Sequence, residues 1–121
     1  MSTRCNIHFT YMGEVEANVY RHCDGYPEGE SGVPADLARF FADVESQTKD
    51  TRFGDPAYLA AKFIVWQAGE YAADKAPLDF IGLGVMTEDA GDGAYTYTVE
   101  CGPARDGTRP VVTWCRPRVD A

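Results

Sequence analysis

The sequence contains no long hydrophobic run and little positive charge. No segment approaches the roughly 18 consecutive apolar residues that a membrane-spanning helix needs, and the first four residues lack the apolar core of a signal peptide. The chain has 11 Lys and Arg residues against 19 Asp and Glu residues, which gives a net charge of −8. We therefore expect a cytoplasmic protein that does not enter a membrane and does not bind a nucleic-acid backbone directly.

Cysteine and histidine are too few and too scattered for a metal site. The four cysteines are Cys5, Cys23, Cys101 and Cys115. They form no Cys-x-x-Cys pair, and only two histidines accompany them, so neither a structural zinc ion nor another metal is expected. The short Gly82-Leu83-Gly84 segment has no lysine and no helical pattern after it, so no nucleotide cofactor is predicted either.

The length and composition fit one ordinary globular domain spanning residues 1–121. Charge is uneven along it: residues 1–104 contain 17 acidic and 7 basic side chains, whereas residues 105–121 contain 2 acidic and 4 basic ones. This pattern is typical of a solvated acidic surface with an arginine-bearing last strand. It also fits an acidic face that meets a partner with a basic surface.

Two segments with alternating polarity, residues 5–11 and 15–20, predict an N-terminal β-hairpin. A three-residue loop would pair Tyr11 with Val15 and keep the apolar side chains on one face. A two-residue turn would instead pair Thr10 with Val15 and mix the two faces. We therefore expect the three-residue loop. The polar face is then expected to carry His8, Asn18, Tyr20 and His22.

Two helices are predicted in the middle of the chain. The first carries one apolar stripe, with Pro34 in its first turn; the stripe consists of Leu37, Phe40, Phe41 and Val44. The second starts at the N-cap and proline pair Asp55-Pro56 and is expected to run to about Ala73. Its apolar residues surround most of the cylinder, so we expect a central, buried helix.

Three further strands are predicted in the last third of the sequence. Residues 78–86 are apolar, residues 95–101 alternate, and a turn at Asp106-Gly107 leads into residues 111–116. A two-residue turn there would pair Val99 with Trp114 and Cys101 with Val112. Cys101 and Cys115 would then lie on opposite faces, where they cannot form a disulfide.

The predicted order of elements is therefore ββααβββ, with no β-α-β alternation. This order indicates an α+β fold, in which a mainly antiparallel sheet carries two helices packed on one face. The pattern leaves open whether the first hairpin adjoins the last. Exposed sheet edges make an oligomer a further possibility.

The segment from Tyr20 to Pro27, with the sequence YRHCDGYP, concentrates reactive side chains at a strand end. His22 and Asp24 are suited to general acid–base chemistry, with Tyr20 or Tyr26 positioning a substrate. In an extended segment Cys23 points away from both, which argues against a thiol nucleophile. Alternatively, Asp24-Gly25 forms a turn that bonds local backbone, and Tyr26 packs on the edge of the core.

The same segment, together with the opening residues 2–7, resembles a small family found in bacteriophages and bacterial genomes. Its members share a Tyr-x-His-x-Asp-Gly-Tyr-Pro element after an N-terminal hairpin, and many carry a bulky aromatic residue where this chain has Cys23. The resemblance implies no particular reaction. It does imply a mobile-element context, in which small acidic proteins often bind and inhibit host proteins.

These observations favour a non-enzymatic binding protein that inhibits or modulates a host protein complex. Its expected binding surface is acidic and consists of Asp36, Asp43, Glu45, Glu88, Asp89 and Asp92. One alternative is a small hydrolase or transferase that uses His22 and Asp24. Another is a sensor that binds a small ligand or a metal ion at the same loop without turnover.

Overall fold

The computed structural model describes residues 3–71, 78, 81–91, 93–101 and 108–116. It contains five strands and two helices in the predicted order. These elements are β1 (Cys5–Tyr11), β2 (Glu14–Arg21), α1 (Val33–Gln47), α2 (Pro56–Tyr71), β3 (Leu83–Met86), β4 (Tyr95–Glu100) and β5 (Val111–Cys115). The α+β fold predicted from the sequence is confirmed.

The five strands form one sheet in the order β3-β2-β1-β4-β5. β1 pairs in parallel with β4, whereas the other three strand pairs are antiparallel. The N-terminal hairpin therefore adjoins the C-terminal hairpin through the two strands at the centre of the sheet. This contact joins the two hairpins into one five-stranded sheet.

Both helices pack on one face of the sheet and enclose an aromatic core. The ring centroid of Phe63 on α2 lies 5.9 Å from that of Phe9 on β1 and 5.4 Å from that of Phe40 on α1. The predicted apolar stripe of α1 is buried as expected. Aromatic pairs at this spacing contribute on the order of 1 kcal/mol each beyond the burial of their surface.

The first hairpin differs from the prediction in its register. Its turn has two residues, Met12 and Gly13, and both have positive φ (51° and 82°), as the favoured two-residue hairpin turn requires. Thr10 pairs with Val15, while a bulge between Phe9 and Thr10 restores the expected pairing of Phe9 with Ala17. The predicted three-residue loop is wrong because the bulge absorbs the change of face and leaves only Val15 out of the apolar row.

The prediction that α2 is a central, buried helix is also wrong. One side of α2 packs on the core through Leu59, Phe63 and other buried residues, whereas Tyr58 and Val65 are 57% and 74% exposed. Among the described elements, no second layer packs on the outer side of α2, although this helix is apolar all round. The predicted end at Ala73 lies outside the described residues. No helix in the described part of the chain is long and apolar enough to cross a membrane.

The C-terminal strands keep their predicted faces but differ in extent and register. β3 begins at Leu83, not at Leu78. Val99 pairs with Val112, and Tyr97 pairs with Trp114, so the predicted pairing is shifted by two residues. Such a shift keeps every side chain on its face because the period of a strand is two. The predicted turn at Asp106-Gly107 lies outside the described residues.

All four cysteines are free thiols. Cys5 and Cys101 are buried, whereas Cys115 is exposed. Cys101 and Cys115 lie on opposite faces of the C-terminal strands, as the alternation in that part of the sequence predicts.

Candidate functional site

The segment of residues 20–27 is built into the fold by backbone contacts. His22 N donates a hydrogen bond to Gly82 O (3.0 Å), and Gly25 N donates one to Thr3 O (2.8 Å). The Tyr97 hydroxyl donates to Gly25 O at 2.7 Å. A Cβ atom at Gly25 would lie 2.8 Å from Thr3 O, so only glycine fits this close approach. This close packing explains why the motif has a glycine at position 25.

The structure does not pair His22 with Asp24. His22 Nδ1 lies 3.2 Å from the Tyr20 hydroxyl and 3.4 Å from Arg4 Nε, which donates to it. Asp24 has a φ of +56° and accepts a hydrogen bond from the Tyr26 hydroxyl (3.2 Å). Partial burial and the neighbouring Asp24 carboxylate raise the pKa of Tyr26. The four candidate residues therefore form two separate pairs, Tyr20 with His22 and Asp24 with Tyr26, and not an acid–base dyad.

Arg21, in the same segment, is the residue that the sequence reasoning missed. It is 1% exposed, and its guanidinium lies 2.7 Å from Asp36 Oδ2. It also donates hydrogen bonds to Gln67 Oε1 (3.1 Å), Cys23 O (2.8 Å) and Ser31 O (3.3 Å). The alternation of β2 could have predicted that Arg21 faces inward, because Arg21 lies two residues after the inward-facing Val19.

The acidic residues of α1 are engaged by neighbours. Asp36 is buried and binds Arg39 as well as Arg21. Glu45 forms a two-pronged ion pair with Arg109 (2.5 and 3.1 Å), and this contact lowers the pKa of Glu45. Asp43 Oδ2 accepts a hydrogen bond from Trp66 Nε1 (2.7 Å). Of the three, Asp36 is withdrawn from the surface altogether.

Two further acidic residues of the predicted surface, Glu88 and Asp89, belong to a loop on the opposite, helix-free face of the sheet. Asp89 Oδ1 lies 2.5 Å from His8 Nε2 and accepts a hydrogen bond from Asn18 Nδ2 (2.8 Å). Glu88 beside it is exposed, and Asp92 lies outside the described residues. Because the sheet separates this loop from α1, the described acidic residues do not form the single contiguous surface that we predicted.

Residues 87–91, together with residue 93, form a strap that covers the polar side of β1. The Asn6 side chain pairs with the backbone of Ala90 in both directions, accepting from Ala90 N (2.9 Å) and donating to Ala90 O (3.3 Å). His8 and Asn18 share this face, as the hairpin pattern predicts, and Asp89 joins them. Within the described residues, Asn18 Oδ1 is buried without a hydrogen-bond partner.

An apolar groove of about 380 Å³ lies between α1 and α2. Phe40, Val44 and Trp66 are its aromatic and aliphatic anchors in the core, and the exposed Tyr58 and Val65 border it. Its full lining is Phe40, Asp43, Val44, Gln47, Thr48, Tyr58, Ala61, Lys62, Val65 and Trp66. No residue of the segment 20–27 belongs to this lining.

Two charged side chains lie on opposite sides of this groove. Asp43 is on α1 and Lys62 is on α2. The Lys62 ammonium donates to the backbone carbonyl of Asp50 (3.3 Å), and the Asp43 carboxylate accepts from Trp66. Neither forms an ion pair with another described residue, so both charges are available to a partner.

No cluster of three or more His, Cys, Asp or Glu side chains in the described ranges is arranged to hold a metal ion. Comparisons of the chain with protein-family models, with curated proteins and with solved structures give no significant match.

Proposed function

We propose that this chain is a binding protein that docks onto a partner protein through the groove between α1 and α2. The observation that carries the proposal is the exposure of Tyr58 and Val65 beside an apolar groove. Contiguous exposed apolar surface is costly in water, and on soluble proteins it marks interaction sites. Catalysis finds less support, since His22 and Asp24 are held in separate hydrogen bonds.

The shape of the groove fits an amphipathic helix from the partner. The groove runs between two helices, and its volume of about 380 Å³ accommodates large side chains such as a leucine or an aromatic ring. Helices that bind in such grooves place apolar anchors at i, i+3 or i+4, and i+7. One basic residue beside these anchors would meet Asp43, and one acidic residue would meet Lys62.

The wider charge distribution supports a partner with a basic surface. The net charge of −8 increases the rate of encounter with such a surface at moderate salt, although it adds little affinity by itself. The resemblance to a family found in bacteriophages and bacterial genomes supports a host protein as the partner. Binding would then inhibit or modulate the complex to which that host protein belongs.

The test is affinity purification of the tagged protein from its native cells, with Val65→Glu as the groove variant. Val85→Glu is a matched control, because Val85 on β3 is as exposed (73%) but lies outside the groove. We expect one stoichiometric partner that is lost with Val65→Glu and retained with Val85→Glu. Reconstitution from the two purified proteins should reproduce the same difference.

A third variant, His22→Ala, separates binding from catalysis. We expect it to retain the partner and the cellular effect of the protein. The proposal is overturned if Val65→Glu and Val85→Glu capture the same proteins in the same amounts. It is also overturned if the cellular effect disappears only in His22→Ala, because this result would indicate chemistry at the 20–27 loop.

A further inference from the structure

The geometry points to a second copy of this chain as an occupant of the α1–α2 groove, so that self-association competes with the partner. This inference rests on the proposed function in one respect, since it concerns the regulation of the same docking site. The self-association is nevertheless testable with the purified protein alone.

A helix that fits the groove carries apolar side chains at helical spacing, and α2 itself carries such side chains. Tyr58, Ala61 and Val65 lie at i, i+3 and i+7 and are exposed, so they form an apolar ridge along α2. This spacing is the one expected of a helix that binds in an apolar groove. The ridge and the groove lie side by side on each molecule, because all three residues also border the groove.

A dimer with a two-fold axis buries the ridge and the groove of both copies at the same time. In a symmetric dimer the same patch is used on both copies, so the ridge of each copy enters the groove of the other. If the two α2 helices pack antiparallel and centred beside Ala61, Tyr58 of one copy lies opposite Val65 of the other. The small side chain of Ala61 at the centre permits close approach of the two helices.

Charge complementarity supports the same arrangement. Each copy contributes one carboxylate on α1, Asp43, and one ammonium on α2, Lys62, and neither forms an ion pair with another described residue. When α2 of one copy lies in the groove of the other, Lys62 approaches Asp43 of the second copy, and symmetry creates this pair twice. The dimer therefore pairs two charges that form no ion pair with the described residues of their own copy.

A dimer of this kind would regulate docking by mass action. The surface that binds the partner is buried in the dimer, so the partner must compete with the second copy, and its apparent affinity falls as the protein concentration rises. The effect needs no conformational change in either copy.

The experiment is a charge exchange between the two copies, measured by sedimentation equilibrium and native mass spectrometry. Asp43→Lys places two ammonium groups together across the interface, and Lys62→Glu places two carboxylates together. We expect each variant alone to self-associate about tenfold more weakly than the wild type. An equimolar mixture of the two variants should form a heterodimer, in which both contacts again join opposite charges. The double variant Asp43→Lys with Lys62→Glu should recover the homodimer.

Two controls keep the experiment specific. Glu88→Lys changes the charge by the same amount on the helix-free face, and we expect it to dimerise like the wild type. Thermal unfolding of every variant reports whether the fold is intact. Recovery in the mixture cannot result from misfolding, because neither variant gains a residue that repairs its own structure.

The inference is overturned if the wild type remains monomeric at high micromolar concentration, or if the mixture associates no better than its components. A monomeric wild type whose cellular partner is still lost with Val65→Glu would overturn this inference and leave the proposed function standing. A charge-dependent dimer whose cellular partners are unaffected by Val65→Glu would overturn the proposed function instead.

Discussion

The Arg21 guanidinium lies 2.7 Å from the Asp36 carboxylate, and both side chains are buried between the sheet and α1. Arg21 ends β2 and Asp36 lies in the first turn of α1, so the ion pair ties the two sides of the 22–32 loop together. Gln67 Oε1 and two backbone carbonyls accept hydrogen bonds from three further N–H groups of the guanidinium. A buried charge pair is tolerated only when its other hydrogen-bonding groups are satisfied in this way.

Removing the cation should therefore destabilise the fold strongly. Arg21→Met keeps much of the side-chain volume but leaves Asp36 buried with only the partly exposed Arg39 beside it. We expect a loss of about 3–5 kcal/mol in the free energy of unfolding, measured by urea denaturation. Arg39→Met is the control and should cost at most about 1 kcal/mol, as exposed ion pairs do. Similar losses for the two variants would contradict the central role of Arg21.

Gly25 and Gly69 should respond to alanine in opposite ways. A Cβ atom at Gly25 would lie within 2.9 Å of Arg4 C and of Cys5 Cβ, and these atoms cannot move aside without shifting β1. We expect Gly25→Ala to destabilise by about 1–3 kcal/mol. A Cβ atom at Gly69 in α2 would have no neighbour within 4 Å, so Gly69→Ala should stabilise the helix by up to about 1 kcal/mol. Thermal denaturation of both variants checks the two signs.

Stability should fall at alkaline pH because of two buried thiols. Burial raises the pKa of Cys5 and of Cys101 from 9.0 to about 12, so both remain neutral in the folded state where the unfolded chain ionises. Their contribution is complete below pH 9 and is lost as the pH rises toward about 12. Urea denaturation across this window should show the decline. Cys101→Ala should make this decline in stability shallower.

The strap over the helix-free face should depend on Asn6. Asn6→Ala removes both hydrogen bonds to Ala90, and buried polar groups that lose a partner cost about 1–3 kcal/mol each. We expect faster hydrogen exchange at Ala90 N, measured by NMR, with little change in the core strands. Asn6→Asp retains the acceptor for Ala90 N, so the Ala90 amide should exchange at an intermediate rate in this variant. Equal protection in all three proteins would show that the strap is held by other contacts.

Local patterns were sufficient to predict the element order and the buried face of α1. Alternating polar and apolar residues predict strands, and the apolar stripe from Leu37 to Val44 repeats with the period of a helix. The register of the first hairpin could not be predicted, because the Phe9–Ala17 pairing is compatible with either turn. The deciding feature, a bulge, depends on how the strand bends and not on polarity.

The candidate site depended on contacts between distant segments, which one sequence does not reveal. Tyr58 and Val65 look like core residues in the sequence, but in the fold they are 57% and 74% exposed on the outer side of α2. Asp43 and Glu45 look equivalent on α1, yet Glu45 forms an ion pair with Arg109, whereas Asp43 forms none with another described residue. His22 and Asp24 likewise look like a pair in the sequence, yet His22 contacts Tyr20 and Arg4, whereas Asp24 accepts from Tyr26.

The parallel pairing of β1 with β4 has a consequence for biosynthesis. The two central strands are 90 residues apart in sequence where Thr10 meets Glu100, so the middle of the sheet cannot close until most of the chain has left the ribosome. Until then β1 has an open edge, and the nascent hairpin is exposed to pairing with other chains. Completion of the fold is thus a late, nearly all-or-none event, and a chain that stops before β4 would lack the strand that shields β1.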